Sequence, residues 1–250
     1  MNTKIEIKNL KKTYTRNKEK LEVLREINLV ICENQFVSLI GPSGCGKSTI
    51  LRILAGLEDD YSGEILLNGQ NLSNSSNRFC YMPQKDLLMP WRTVYENIIL
   101  PLEIKGKLDS AEILGVTNLI KEFGLEGFEN FYPSEISGGM RQRAGLLRTF
   151  LMNNDTMLLD EPFGALDEIT RMNMQEWLLN VLSEHKKSVL FITHDIEEAI
   201  FLSDRVYVLS DRPATVIKTL DIEFPRPRTR EMLSSNEFLK YKDIILKSLF

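Results

Sequence analysis

Along this chain the apolar positions change period several times, and each change marks a new element. From Lys4 to Leu10, and from Leu21 to Ile31 with Val23, Ile27 and Leu29, apolar and polar residues alternate, as in strands of a half-exposed antiparallel sheet. A polar turn is predicted between them, with Tyr14 at its edge. Phe36-Val37-Ser38-Leu39-Ile40 is a nearly continuous apolar run, which predicts a strand buried on both faces. Ser48 to Leu57 reads as a helix ending near Gly56, and Ser62 to Gly69 as a strand and turn that close the antiparallel part. Short buried strands are predicted at 79–82, 157–159 and 188–192, with two more at 206–209 and 216–220. Between Asp86 and about Asn153 the spacing is largely helical, with apolar stretches at 94–102, 116–123 and 144–151, so this segment reads as an inserted helical unit. Further helices are predicted from about Glu168 to Ser183 and from Glu237 to Leu249.

The residues between these elements carry the chemistry. Gly41-Pro42-Ser43-Gly44-Cys45-Gly46-Lys47-Ser48-Thr49 fits the phosphate-loop pattern and lies between a buried strand and a helix, the context the pattern requires. Its glycines let backbone N–H groups turn inward beside the positive end of the helix, Lys47 supplies a point charge to β and γ phosphates, and Ser48 a Mg²⁺ ligand. Pro83-Gln84 ends one core strand, Asp160-Glu161 another and Thr193-His194-Asp195 a third. Ligands of open α/β sheets bind at that edge, so Gln84, Asp160, Glu161 and His194 are expected to converge on the loop. An apolar strand ending in two acids and a proline is the arrangement expected of carboxylates serving Mg²⁺ and an attacking water. Ile136-Ser137-Gly138-Gly139-Met140 precedes a long apolar helix and reads either as a second anion site or as a serine cap with a flexible entry. Tyr14 has two readings as well, an adenine-stacking ring or a partly buried surface aromatic.

Composition narrows the class. With 43% hydrophobic and 26% charged residues in 250, the chain is of the soluble globular type and long enough for one large domain or two smaller ones. A net charge of -4 argues against nucleic acid as the main partner, and the Lys11-Lys12 pair reads as solvated surface. No apolar signal core opens the sequence, and no run nears the roughly 18 apolar residues of a spanning helix, so a cytoplasmic protein is expected. Cys32, Cys45 and Cys80 lack the spacing of a disulfide scaffold or zinc site. Cys45 is expected to occupy a loop position, and a thiol exposed there would be open to alkylation. The tail, with Pro225-Arg226-Pro227-Arg228, shows no chemistry.

Taken in order, Tyr14, the phosphate loop at 41–49, Gln84, Ile136-Ser137-Gly138-Gly139-Met140, Leu158-Leu159-Asp160-Glu161-Pro162, Gly164-Ala165-Leu166-Asp167 and Thr193-His194-Asp195 make the chain resemble the nucleotide-binding subunit of ATP-binding cassette (ABC) transporters along essentially its whole length. The resemblance implies an α/β fold: a P-loop NTPase (RecA-like) core at about 1–85 and 156–220, with an antiparallel β subdomain. A helical subdomain at about 86–155 and a C-terminal extension at about 221–250 complete a single ABC ATPase domain. It implies ATP and Mg²⁺ as cofactors. Tyr14, residues Gly41, Pro42, Ser43, Gly44, Cys45, Gly46, Lys47, Ser48 and Thr49, and Ser137, Gly138, Gly139 and Asp167 would bind nucleotide. Ser48, Gln84 and Asp160 would hold the metal, and Glu161, His194, Gln84 and Lys47 would act in catalysis. Two copies would pair head to tail, each ATP lying between the loop of one and Ser137-Gly138-Gly139 of the other. The segment from Leu87 to Asn97, with Met89-Pro90-Trp91, is similar to that of importers of the nitrate, sulfonate and taurine type. Its implied partners are transmembrane permease subunits and, indirectly, a solute-binding protein, with no nucleic acid and a peripheral place on the cytoplasmic face of the membrane. Ile136, Met140 and Gly164 stand where the family more often has Leu, Gln and Ser. The alternative reading, a soluble ATPase of the same class acting on nucleic acid or the ribosome, would call for coiled-coil or tandem-domain insertions absent from the sequence.

Overall fold

A computed structural model describes residues 2–16, 19–72, 79–106 and 110–249. Two sheets organise it. The first is antiparallel and contains β1 (Thr3–Arg16), β2 (Glu19–Cys32), β4 (Ser62–Leu67) and β5 (Gln70–Asn71) in the order β2-β1-β4-β5. The second has six strands in the order β10-β9-β3-β8-β7-β6, comprising β3 (Phe36–Ile40), β6 (Cys80–Met82), β7 (Thr156–Asp160), β8 (Ser188–Ile192), β9 (Arg205–Leu209) and β10 (Val216–Asp221). All its pairings are parallel except β9 with β10.

Burial explains the division. Every residue of β3, β7 and β8 is buried, so these runs need no polar face, whereas β2 alternates buried with exposed positions. Residues from β1, β2, β4 and helix α1 (Lys47–Leu54) form one apolar cluster with one side of the parallel sheet, where Leu39, Leu158 and Leu190 point. The other side, with Phe36, Leu159 and Phe191, packs against helices α2 (Val94–Lys105), α3 (Ser110–Glu122), α4 (Gly138–Leu151), α5 (Glu168–His185), α6 (Ile196–Leu202) and α7 (Asn236–Leu249).

Two expectations are corrected. The predicted polar turn shrinks, because β1 and β2 stay paired through Tyr14↔Leu21 to Arg16↔Glu19; backbone pairing carries the polar residues on past Tyr14, whose side chain packs against the core cluster. Lys12 is buried, its ammonium 3.4 Å from Glu58 Oε2 and donating to the Asp60 carbonyl, where the sequence suggested solvated surface. The tail, in which the sequence shows no chemistry, packs on the core: Phe238 and Ile245 of α7 are buried in it, and Arg228 is buried with its Nη1 donating to the carbonyls of Ile200 and Phe201, both at 2.9 Å. Among the described residues no helix is long and apolar enough to cross a membrane.

Candidate active site

The phosphate loop is a tight reversal between β3 and α1. At Gly46 φ is 128°, and a Cβ placed there would lie 2.8 Å from Leu24 Cδ2 and 2.9 Å from Val23 Cγ1, so both conformation and space demand glycine. The first turn of α1 carries no acidic residue, and its positive end is left uncompensated. Lys47 is buried, and its Nζ donates to the carbonyls of Gly41 at 2.8 Å and Pro42 at 2.9 Å, folding the charge back over the loop. Cys45 is also buried, and burial pushes its thiol pKa up, so the exposed, alkylation-sensitive thiol considered from sequence is not found. Its side chain packs inward because the loop wraps it against the cluster under β1 and β2.

Three strand ends then converge, as expected. Asp160 closes β7 and is 2% exposed; its Oδ1 has no hydrogen-bond partner among the described residues. Burial raises its pKa, and the Ser48 hydroxyl bonded to it pulls the other way. Glu161 follows with φ 48°, its N–H donating to the Ile192 carbonyl of β8 at 3.0 Å. Its Oε2 receives a hydrogen bond from Gln84 Nε2 at 3.1 Å and lies 3.4 Å from His194 Nδ1. A single carboxylate oxygen thus meets side chains from the ends of β6 and β8.

Of these groups Gln84 and Glu161 line an open cleft of about 480 Å³, together with Ser43, Gly44 and residues 46–49 of the loop and Tyr14, Leu21, Val23 and Arg212, while His194 lines a small cavity of about 30 Å³ on the other side of Glu161. Tyr14 therefore reaches the cleft, with the Lys12 ammonium 4.7 Å from its ring centroid. Ser137, Gly138, Gly139 and Asp167 are not among the residues lining it. Ser137 caps α4 by accepting from Met140 N at 3.2 Å, and Asp167 caps α5 by accepting from Thr170 N at 3.0 Å, a bond that lowers its pKa. The helix predicted to begin at Ala144 starts at Gly138, because this cap secures a first turn with no apolar signal.

Sequence reasoning overlooked two groups. Arg212 reaches the cleft from the loop after β9, at the same edge of the sheet, and the strand-end rule applied to Arg205–Leu209 would have found it. Gln142, on α4 and buried, donates from Nε2 to the Glu161 carbonyl at 3.0 Å and accepts on Oε1 from Ala165 N at 2.7 Å. Nothing in its polar neighbourhood distinguishes it from a surface glutamine.

A phosphate loop facing a strand-end carboxylate pair defines a nucleotide hydrolase of the P-loop class. The ABC transporter family model matches residues 24–164. An uncharacterized ABC transporter ATP-binding protein of Methanocaldococcus jannaschii is 42% identical over 257 aligned positions, covering 100% of this chain and 95% of that one. The aliphatic sulfonates import ATP-binding protein of Bacillus cereus is 40% identical over 236, covering 94% and 93%. The dimeric structure of a post-hydrolysis state of an ATP-binding cassette, bound to ADP and Pi, superposes with a TM-score of 0.79 at 30% identity over 88% of this chain and 100% of that one. The chain belongs to the ATP-binding proteins of the ABC transporter family and is an ATPase.

Proposed function

We propose that this ATPase energises import of a small solute, of the nitrate, sulfonate or taurine type, through a separate membrane permease, working as a head-to-tail pair on the cytoplasmic face. The observation that carries the catalytic part is Glu161, whose Oε2 is held by Gln84 at 3.1 Å beside His194 at 3.4 Å, next to the phosphate loop. In this reading Glu161 polarises a water against the γ-phosphate, Gln84 and His194 sense phosphate and metal, and Lys47 shifts from its loop carbonyls to the β and γ phosphates. Tyr14 stacks on adenine, with Lys12 already against its ring. Ser43 and the backbone of residues 41–49 cradle the phosphates.

The donor set fits Mg²⁺, a hard cation that takes oxygen ligands. Asp160 presents a buried oxygen without a partner, and the Ser48 hydroxyl and Gln84 amide lie at the same cleft. When bound, the ion would neutralise charge on the β and γ phosphate oxygens.

Pairing of two copies accounts for Ser137, Gly138, Gly139 and Asp167, which lie outside their own chain's cleft and would face ATP held by the other copy. The dimeric cassette among the similar structures supports this arrangement, and the sulfonate-importing relative supports the solute class. Exposed Leu87 and Trp91 favour an apolar protein partner over nucleic acid. In size-exclusion chromatography with ATP and Mg²⁺, Glu161→Gln is expected to bind ATP, hydrolyse it at least about 10²-fold more slowly and persist as a dimer. A monomer that still binds ATP would rule out the paired mechanism.

A further inference from the structure

A buried glutamate behind the catalytic edge is unused by this mechanism. Glu198, on α6, is 7% exposed, and burial raises its pKa. A carboxyl in such a place costs stability relative to an apolar side chain unless its oxygens are bonded. They are: Glu198 Oε1 accepts from Gln175 Nε2 at 2.7 Å, and the carboxyl is also bonded to the Thr193 hydroxyl. Thr193 immediately precedes His194, and its Oγ1 accepts from Asp195 N at 3.0 Å, bridging the backbone on either side of His194. Asp195 in turn accepts on Oδ1 from Glu197 N at 2.8 Å and Glu198 N at 3.2 Å. The His194 side chain is 70% exposed and meets Glu161 only at 3.4 Å, so its direction is set by this backbone rather than by packing.

The chain of bonds continues away from the site. Gln175, buried on α5, accepts on Oε1 from Arg230 Nη2 at 2.8 Å. Arg230 belongs to the segment leading to α7 and is fixed by the Met172 carbonyl at 3.0 Å, by Glu176 Oε1 at 3.2 Å and by the Phe201 ring at 4.4 Å. Each member therefore has a defined partner from the C-terminal segment to the residue beside His194.

We infer that Glu198 is a positioning residue for His194, held by Gln175, and that Arg230 extends this support to the C-terminal segment, which thereby bears on ATP hydrolysis. The inference rests on the reading that His194 acts beside Glu161. Steady-state ATPase kinetics of Glu198→Ala, Glu198→Gln, Arg230→Met and His194→Ala, alone and combined, test it, with melting followed for every variant. Glu198→Ala is expected to lower kcat about tenfold while KM for ATP stays within about twofold, as for a displaced catalytic group. Glu198→Gln, which keeps the shape and bonding capacity, is expected to restore most of the loss. Arg230→Met is expected to lower kcat about threefold, and neither substitution should add to the defect of His194→Ala. Full kcat in folded Glu198→Ala, or an additive loss in the His194→Ala background, would overturn the inference while leaving the catalytic reading in place. If Glu198→Ala melts below the assay temperature, the cycle of Arg230→Met with His194→Ala decides on the same criterion. An unchanged kcat in His194→Ala would remove the reading of His194 itself and this inference with it.

Discussion

The C-terminal edge of the parallel sheet and the N-terminal end of α4 both offer donors for phosphate, yet they are built in opposite ways. At the sheet edge β3, β7 and β8 are buried throughout, and the groups they deliver hold one another: Lys47 on Gly41 and Pro42, Gln84 and His194 on Glu161. At α4, Ser137 is exposed and, among the described residues, its hydroxyl is engaged with Met140 N of its own helix alone. Strand ends can position several side chains on one atom because parallel strands finish side by side, whereas a lone helix end fixes only its own first turn. The first arrangement suits chemistry, and the second suits recognition of something delivered by another surface. Gln142 joins them, since its amide spans the Glu161 carbonyl and Ala165 N.

The comparison is broken most severely at the sheet edge. Lys47→Ala is expected to abolish ATP turnover, by at least about 10²-fold, since it removes the positioned charge from the loop. The fold should survive, because the lysine's hydrogen bonds, to the carbonyls of Gly41 and Pro42 and to Cys45 Sγ at 4.0 Å, all stay within that loop. Turnover close to that of the unaltered protein would show that the loop does not serve the γ-phosphate.

The joint between the two regions comes next. Gln142→Ala removes the bond to Ala165 N and one of the two to the Glu161 carbonyl, which keeps Gly164 N at 3.2 Å, and in this part-buried setting the loss costs on the order of 1 kcal/mol. Chemical denaturation is expected to register that loss, and kcat should fall with it because the backbone of Glu161 loosens. A variant with unchanged midpoint and unchanged kcat would mean that the two regions are independent.

Tyr14 sharpens the contrast on the binding side. Tyr14→Ala should weaken ATP binding by about 1–3 kcal/mol if the ring stacks on adenine, with Tyr14→Phe and Tyr14→Trp tolerated. Equal affinity in Tyr14→Ala, measured by calorimetry, would make it a surface aromatic.

Much of the sheet edge was legible because its signals are local: glycines with Lys47 and Ser48 after a buried strand, and Gln84, Asp160, Glu161 and His194 each at the end of an apolar run. The fold class followed from the same runs, since strands buried on both faces read differently from the alternating β1 and β2. What stayed hidden depends on contacts between segments distant in sequence. Lys12 looked like surface because its partners, Glu58 and Asp60, lie more than 40 residues away. Gln142, Arg212 and Gln175 are ordinary polar residues until tertiary packing gives each a partner or a cleft to face. The hairpin carrying Tyr14 was underestimated because strand pairing, rather than an apolar face, extends it to Arg16.

The smallest effect on the isolated chain is expected where recognition is separated furthest from chemistry. Asp86 to Val94 follows Gln84 directly and is held from both sides. Arg148 donates to the carbonyls of Leu87 at 2.9 Å and Asp86 at 2.7 Å, and buried Asn97 accepts from Met89 N at 2.7 Å while its amide donates to the carbonyls of Met89, Arg92 and Thr93. Leu88 and Val94 turn into the core, but Leu87 is 60% and Trp91 72% exposed. A turn fixed this firmly that still presents an indole to solvent has the character of an interface anchor, and a short cytoplasmic helix of the permease is the proposed occupant. Because the indole packs so little within its own chain, Trp91→Ala should change folding stability by no more than about 0.5 kcal/mol and leave basal ATPase activity intact. Transport, or retention of the permease in a pull-down, should be lost by contrast. A lowered melting temperature would place Trp91 in the core of its own subunit, and normal assembly with normal transport would leave it with no role at the membrane.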